Sequence, residues 1–190
     1  MNPTKAAQFL AVASTIAATK NLTDFRRGLH AAIRGYWKGD MDFGTAVNSF
    51  MSSIDRGFTR AWRLGAAEFG ITPADYSEAE QSTLRQRINE QDPYVMALFG
   101  RLIPKARGGL MRDALKEAEL FVARFEDVRG QARVMAARDA PMEWTVGVAE
   151  HCNTCINKLN GKVKRASWWV SNGILPRRAG AWYLECGGYK

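Results

Sequence analysis

DFGTAVNSFMSSIDRGFTRAWRLGAAEFG, residues 42–70, is the stretch that decides the fold. Its large apolar side chains stand at Phe43, Val47, Phe50/Met51, Ile54, Phe58, Ala61/Trp62 and Phe69, with Gly65 in the same register. Steps of three and four residues keep the helical period from end to end, so the apolar groups share one stripe. Asp42 can accept from the first free backbone N–H groups, and Gly70 can stop the helix. This predicts a long buried helix with Phe50, Ile54, Phe58 and Trp62 in the core. Arg56, Arg60 and Arg63 fall on the flank and opposite face, where a solvated helix face explains them more often than a phosphate contact does.

The same period extends outward in both directions. Before it, Leu22, Phe25, Leu29, Ile33 and Trp37 form a second stripe, capped by Asn21 or Thr23 and ended by Gly39. Pro3 to Ala18 reads as a separate, short, Ala-rich helix. Lys5 followed by AAQFLAVASTIAA faintly resembles a secretory signal, but Gln8, Ser14 and Thr15 interrupt its apolar core, and an Ala-rich helix is the commoner source of such a pattern. After it, Thr72-Pro73 is a linker and Ser77-x-x-Glu80 a capping box. Leu84 and Ile88 mark the helix that follows. Asp92-Pro93 reads as N-cap and first residue of the next, which carries Tyr94, Val95, Leu98, Phe99, Leu102 and Ile103 and ends or kinks at Pro104. Gly108-Gly109 breaks the chain before a last long helix, whose stripe runs from Leu110/Met111 through Phe121, Phe125 and Val128 to about Arg138. His30 lies beside its stripe as a satisfied or solvated histidine. Residues 1–140 are therefore expected to be one helical domain.

Pro141 marks a change of pattern. Thr145–Val148, Gly161–Lys164 and Trp182–Glu185 read as short strands, and Asn160-Gly161 as a tight turn. All three cysteines lie in this last quarter, at Cys152, Cys155 and Cys186, with His151 and four of the six tryptophans. Cys152-Asn-Thr-Cys155 has the spacing that lets two thiolates grip one tetrahedral ion at about 2.3 Å. Cys186, in Glu-Cys-Gly-Gly, is a third ligand. A structural zinc site needs four, so the fourth place falls to His151 or water, or zinc is weak or absent. The expected class is mainly α: a multi-helix body with a small mixed β, zinc-knuckle-like module over residues 141–190.

The run Trp144-x-x-Gly147, His151-Cys152-x-x-Cys155, Leu159-x-Gly161-Lys162-Val163, Ser167-Trp168, Pro176 and Leu184-x-Cys186-Gly-Gly resembles the C-terminal end of the minor head (head-morphogenesis) proteins of tailed phages. The likeness covers about 45 residues, and the helical part agrees only in style. It implies a structural protein associated with the portal and other head proteins during procapsid assembly, found in the virion or procapsid and assembled in the host cytoplasm. The family pattern closes on a further C-x-C that this sequence lacks. Either the sequence is cut short at Lys190 or this member has lost a ligand.

Composition narrows the alternatives. With 190 residues and 46% hydrophobic content, one domain plus an appendage is expected, and wholesale disorder is excluded. The formal net charge is +8, and Met142–Lys190 holds seven Lys/Arg against three Glu, so positive charge is densest there. Lys158, Lys162, Lys164, Arg165, Arg177 and Arg178 interleave with Trp168, Trp169 and Trp182, which suits phosphate contacts plus base stacking. A zinc-knuckle nucleic-acid-binding module, with DNA as partner, is thus the second reading. Three cysteines make no disulfide framework. No apolar run approaches the ~20 residues of a membrane span, so no membrane partner is expected. There is no Walker loop, dinucleotide glycine fingerprint or paired-carboxylate motif. His151 beside Cys152 is poorly placed as a catalytic pair, and no third group orients it. The chain is expected not to be an enzyme and to have no small-molecule substrate.

Overall fold

The computed structural model describes residues 3–102, 110–145 and 152–174, with side chains from Ile16 onward. Its helices are α1 (Pro3–Lys38), α2 (Phe43–Ala67), α3 (Glu78–Asn89), α4 (Asp92–Leu102), α5 (Met111–Ala136) and the short α6 (Ala166–Ser171). A 3-10 turn at Pro73–Asp75 precedes α3. Strands β1 (Pro141–Glu143) and β2 (Val163–Arg165) pair antiparallel, with Pro141 opposite Arg165. The chain is mainly helical with a small two-stranded sheet, as the change of period at Pro141 predicts. Among the described residues no helix is long and apolar enough to cross a membrane.

The body is built around α2. Phe50, Ile54, Phe58 and Trp62 are each 0% exposed, so its stripe is core as read from the sequence. α1 packs antiparallel to it: Phe25 lies against Gly57, and Gly28 lies against Ser53. α5 covers the other flank of the stripe. The Phe50 ring meets Phe121 at 5.1 Å and Phe99 of α4 at 5.6 Å, both edge to face, the arrangement that ring quadrupoles favour. Glu68, just past the end of α2, joins that end to α5 through Arg129 (2.7 Å) and Arg133 (2.6 Å).

Helix boundaries follow side-chain capping. Asp42 accepts from the Thr45 backbone N–H at 2.8 Å and from its hydroxyl at 2.9 Å. Those two bonds hold the Asp42 carboxyl below its usual range. A depressed native pKa means that the cap stabilises fully above the ordinary carboxylate pKa and fades as pH falls through the depressed value. The gap in Tm between wild type and Asp42→Ala should therefore be open near pH ~7 and narrow as pH falls below ~3.9 toward ~2. A gap of the same size at both values would mean that the charge contributes nothing. Ser77 and Glu80 form the expected capping box: Glu80 N donates to Ser77 Oγ (3.3 Å), and Ser77 N donates to Glu80 Oε2 (2.7 Å).

Three boundaries differ from the sequence reading. Residues 3–38 are one helix, with no break near Asn21 or Thr23. Thr23 Oγ1 donates back to the Thr19 carbonyl at 2.9 Å, so its hydroxyl is used inside the helix and caps nothing. No glycine or proline between Pro3 and Gly28 could interrupt the run. The turn before α4 is centred on Gln91: Val95 N donates to its carbonyl (2.9 Å), while its side-chain amide donates to the Arg87 carbonyl (2.9 Å). Asp92 is thus already inside the helix. Phe69 is 38% exposed, because α2 has ended two residues earlier and Gly70 takes a positive φ of 71°. Pro104 and Gly108-Gly109 lie outside the described residues.

Candidate functional site

A second apolar core sits beside the first. Val134, Ala137, Cys155, Leu159, Ala166, Trp169 and Ile174 are buried together, with Met142, Trp144, Cys152 and Val170 packed against them. Two of these residues, Val134 and Ala137, come from the end of α5 and its C-cap. The module is therefore assembled on the last turns of the body, and its core begins upstream of the expected boundary at Pro141.

The backbone of this module follows from Asn160-Gly161. Gly161 takes φ +73°, which a side chain would strain, and its N–H donates to the Trp144 carbonyl at 2.8 Å. Trp144 N in turn donates to the Lys162 carbonyl at 3.0 Å. The strand expected at Gly161–Lys164 is present, shifted to Val163–Arg165. Its partner is Pro141–Glu143, where proline is tolerated as the first residue of a strand. Of the strand expected at Thr145–Val148, residues 146–148 lie outside the described residues, as does all of Trp182–Glu185.

The two thiols of the CxxC are close. Cys155 is buried and Cys152 half-buried, with their Sγ atoms 3.5 Å apart. A disulfide would need about 2.05 Å. Two thiolates at about 2.3 Å from one tetrahedral ion stand about 3.8 Å apart. The pair thus has nearly the spacing of two ligands on one metal. It is held by a π-helix, Thr154–Leu159, in which Asn160 N reaches the Cys155 carbonyl at 2.9 Å. Such wide turns recur at functional positions. His151 and Cys186 lie outside the described residues. Among the described residues, no group of three or more His, Cys, Asp or Glu is arranged to hold a metal ion.

The basic and aromatic residues divide. Lys162, Lys164 and Arg165 are exposed on and beside β2, and Lys158 is exposed on the π-helix. Lys164 Nζ stands 5.5 Å from the centre of the Trp168 ring, which is 39% exposed. Trp169, expected as a stacking residue, is instead core: it is 3% exposed, its indole N–H donates to the Met142 carbonyl at 3.1 Å, and Trp144 packs on it at 5.6 Å. Two adjacent residues of a helix cannot face the same way, and here Trp168 faces out while Trp169 faces in. Arg177 and Arg178 lie outside the described residues. Residues 152–174 carry four Lys/Arg and no Asp or Glu, so the described part of the module after β1 is uniformly basic.

One ionic cluster in the body was not legible from local spacing. His30 Nε2 lies 3.0 Å from Glu119 Oε1, though out of hydrogen-bond alignment, and Arg26 Nε donates to both oxygens of the same carboxylate at 3.0 Å. Only the packing of α1 on α5 brings these groups together. Comparison of the chain with family models, curated proteins and solved structures gives no match.

Proposed function

We propose that this chain is a minor head protein of a tailed phage: a structural and assembly component, without enzymatic turnover, that associates with portal and head proteins during procapsid assembly in the host cytoplasm. The observation that carries this reading is the ordered pattern Trp144-x-x-Gly147, His151-Cys152-x-x-Cys155, Leu159-x-Gly161 and Leu184-x-Cys186, set at the end of a helical body. The pairing of Cys152 with Cys155 at 3.5 Å supports the knuckle part of it. Co-expressed with its neighbouring genes, the protein should co-purify with portal or procapsid after nuclease treatment. Its absence from purified procapsids and heads would overturn the reading.

In this reading the module is zinc-knuckle-like, with thiolates from Cys152, Cys155 and Cys186 and the fourth place held by His151 or water. Three thiolates leave zinc weakly held, since structural sites are normally closed by four protein ligands. Elemental analysis under reducing conditions should give well under one zinc per chain, and Cys155→Ser should lower it further. No zinc in either protein, with normal folding of Cys155→Ser, would mean that the cysteines only pack.

The second reading, a zinc-knuckle nucleic-acid-binding module, is favoured by one specific arrangement. Lys164 lies over the exposed Trp168, with Lys162 and Arg165 exposed alongside. A cation beside an open aromatic face suits a phosphate and its base. Affinity for DNA that falls steeply with salt would favour this reading, and nuclease-resistant binding to portal the first.

A further inference from the structure

The geometry of Cys152 and Cys155 suits a second chemistry that needs no metal. Ile156 N donates to the Cys152 carbonyl at 3.1 Å, which closes one helical turn over the motif. On such a turn, Cα atoms three residues apart stand about 5 Å from each other. That is inside the range of about 4.4–6.8 Å that a disulfide spans. The two Sγ atoms are 3.5 Å apart. Side-chain rotation can close the remaining ~1.5 Å to a bond of about 2.05 Å, with the backbone left in place.

The two thiols are not equivalent. Cys155 is 3% exposed and packs with Val134, Ala137 and Leu159. Cys152 is half-buried at the edge of that core. A reagent from solvent therefore meets Cys152 first. Cys155 has to meet only Cys152.

We propose that Cys152 and Cys155 form a reversible dithiol–disulfide switch, oxidised by a low-molecular-weight disulfide of the glutathione type. The Cys152 sulfur gives up its proton and attacks one sulfur of the oxidant. The S–S bond of the oxidant breaks, one glutathione thiolate leaves, and a mixed disulfide remains on Cys152. The Cys155 sulfur then gives up its proton, attacks Cys152 Sγ and expels the second glutathione thiolate. The two departing thiolates take up the two protons. Two protein thiols are thus oxidised to one disulfide, while one glutathione disulfide is reduced to two thiols. A reducing compartment keeps the pair as thiols, and oxidising surroundings close it. The switch acts on sulfurs that the zinc-knuckle reading assigns to metal, but it rests on their spacing and needs no zinc. Oxidation and metal binding at this pair exclude one another, because both use the same two thiolates.

The test uses the full chain, reduced and then held in excess chelator so that zinc plays no part. It is equilibrated with glutathione disulfide, quenched in acid, alkylated in denaturant and mapped by peptide mass. A Cys152–Cys155 disulfide is expected, and excess reduced glutathione should open it again. Cys155→Ser should stop at the mixed disulfide on Cys152. Cys152→Ser should take up glutathione at Cys155 at least about tenfold more slowly than Cys155→Ser does at Cys152, because Cys155 is buried. Three results in the wild-type protein overturn the proposal: both thiols still alkylated, a mixed disulfide that persists on Cys152, or a bridge from either cysteine to Cys186. Equal uptake in the two variants overturns it as well. Should a variant fail to fold, the wild-type map decides alone. Zinc bound in the absence of chelator, with no disulfide formed in its presence, would sink the switch and leave the zinc-knuckle reading standing.

Discussion

Phe58→Ala should lower the free energy of unfolding by about 3–5 kcal/mol. The ring is 0% exposed and meets Phe25 edge-on at 6.0 Å, and Phe25 itself contacts Phe125 at the same distance. Truncation removes the transfer energy of the ring and leaves a void at the point where α1, α2 and α5 meet. Close-packed neighbours can only partly collapse into such a void. Phe69→Ala is the matched control. At 38% exposure, past the end of α2, it should change stability by no more than about 0.5 kcal/mol. Urea denaturation of the three proteins measures both. A loss under about 1 kcal/mol for Phe58→Ala would mean that the stripe is a docking face rather than a core.

Gly65→Ala should destabilise, against the usual expectation for a helical glycine. In a helix interior Ala is normally better than Gly by about 0.5–1 kcal/mol. A Cβ at Gly65, however, would stand 2.2 Å from the Arg129 carbonyl oxygen and 2.9 Å from Ala132 Cβ. The first of these atoms is backbone and cannot rotate away. α2 and α5 would have to separate along their whole contact, at about 1–3 kcal/mol before the propensity gain is subtracted. Gly100, in α4, has nothing within 4 Å of the corresponding position. Gly100→Ala should therefore stabilise by about 0.5–1 kcal/mol. Two identical substitutions in helices of one protein should have opposite signs. If both stabilise, the close approach of α2 to α5 is not a constraint on the fold.

The stripe of α2 was legible because a single period governs it. Each of Phe50, Ile54, Phe58 and Trp62 carries the same instruction, and the packed result agrees. Asp42 and Ser77-x-x-Glu80 were legible for a related reason, since a cap acts within three residues. Thr23 misled because its hydroxyl can serve equally as an N-cap or as an internal bond to the carbonyl four residues back, and local sequence does not choose between them. The identity of β2's partner depended on chain reversal through Gly161, not on the propensity of residues 145–148. At the candidate site, the proximity of Cys152 to Cys155 follows from spacing alone. The opposite fates of Trp168 and Trp169 do not: which of two adjacent indoles is buried is set by where α5 ends.

Because α5 runs unbroken from Phe121 and Phe125 in one core to Val134 in the other, the two cores share a single hydrogen-bonded rod. Fraying of its last turns would loosen the apolar packing around Cys155, and tightening around Cys155 would suppress that fraying. Whatever stabilises the packing around Cys155 should therefore also slow amide exchange through the last turns of α5.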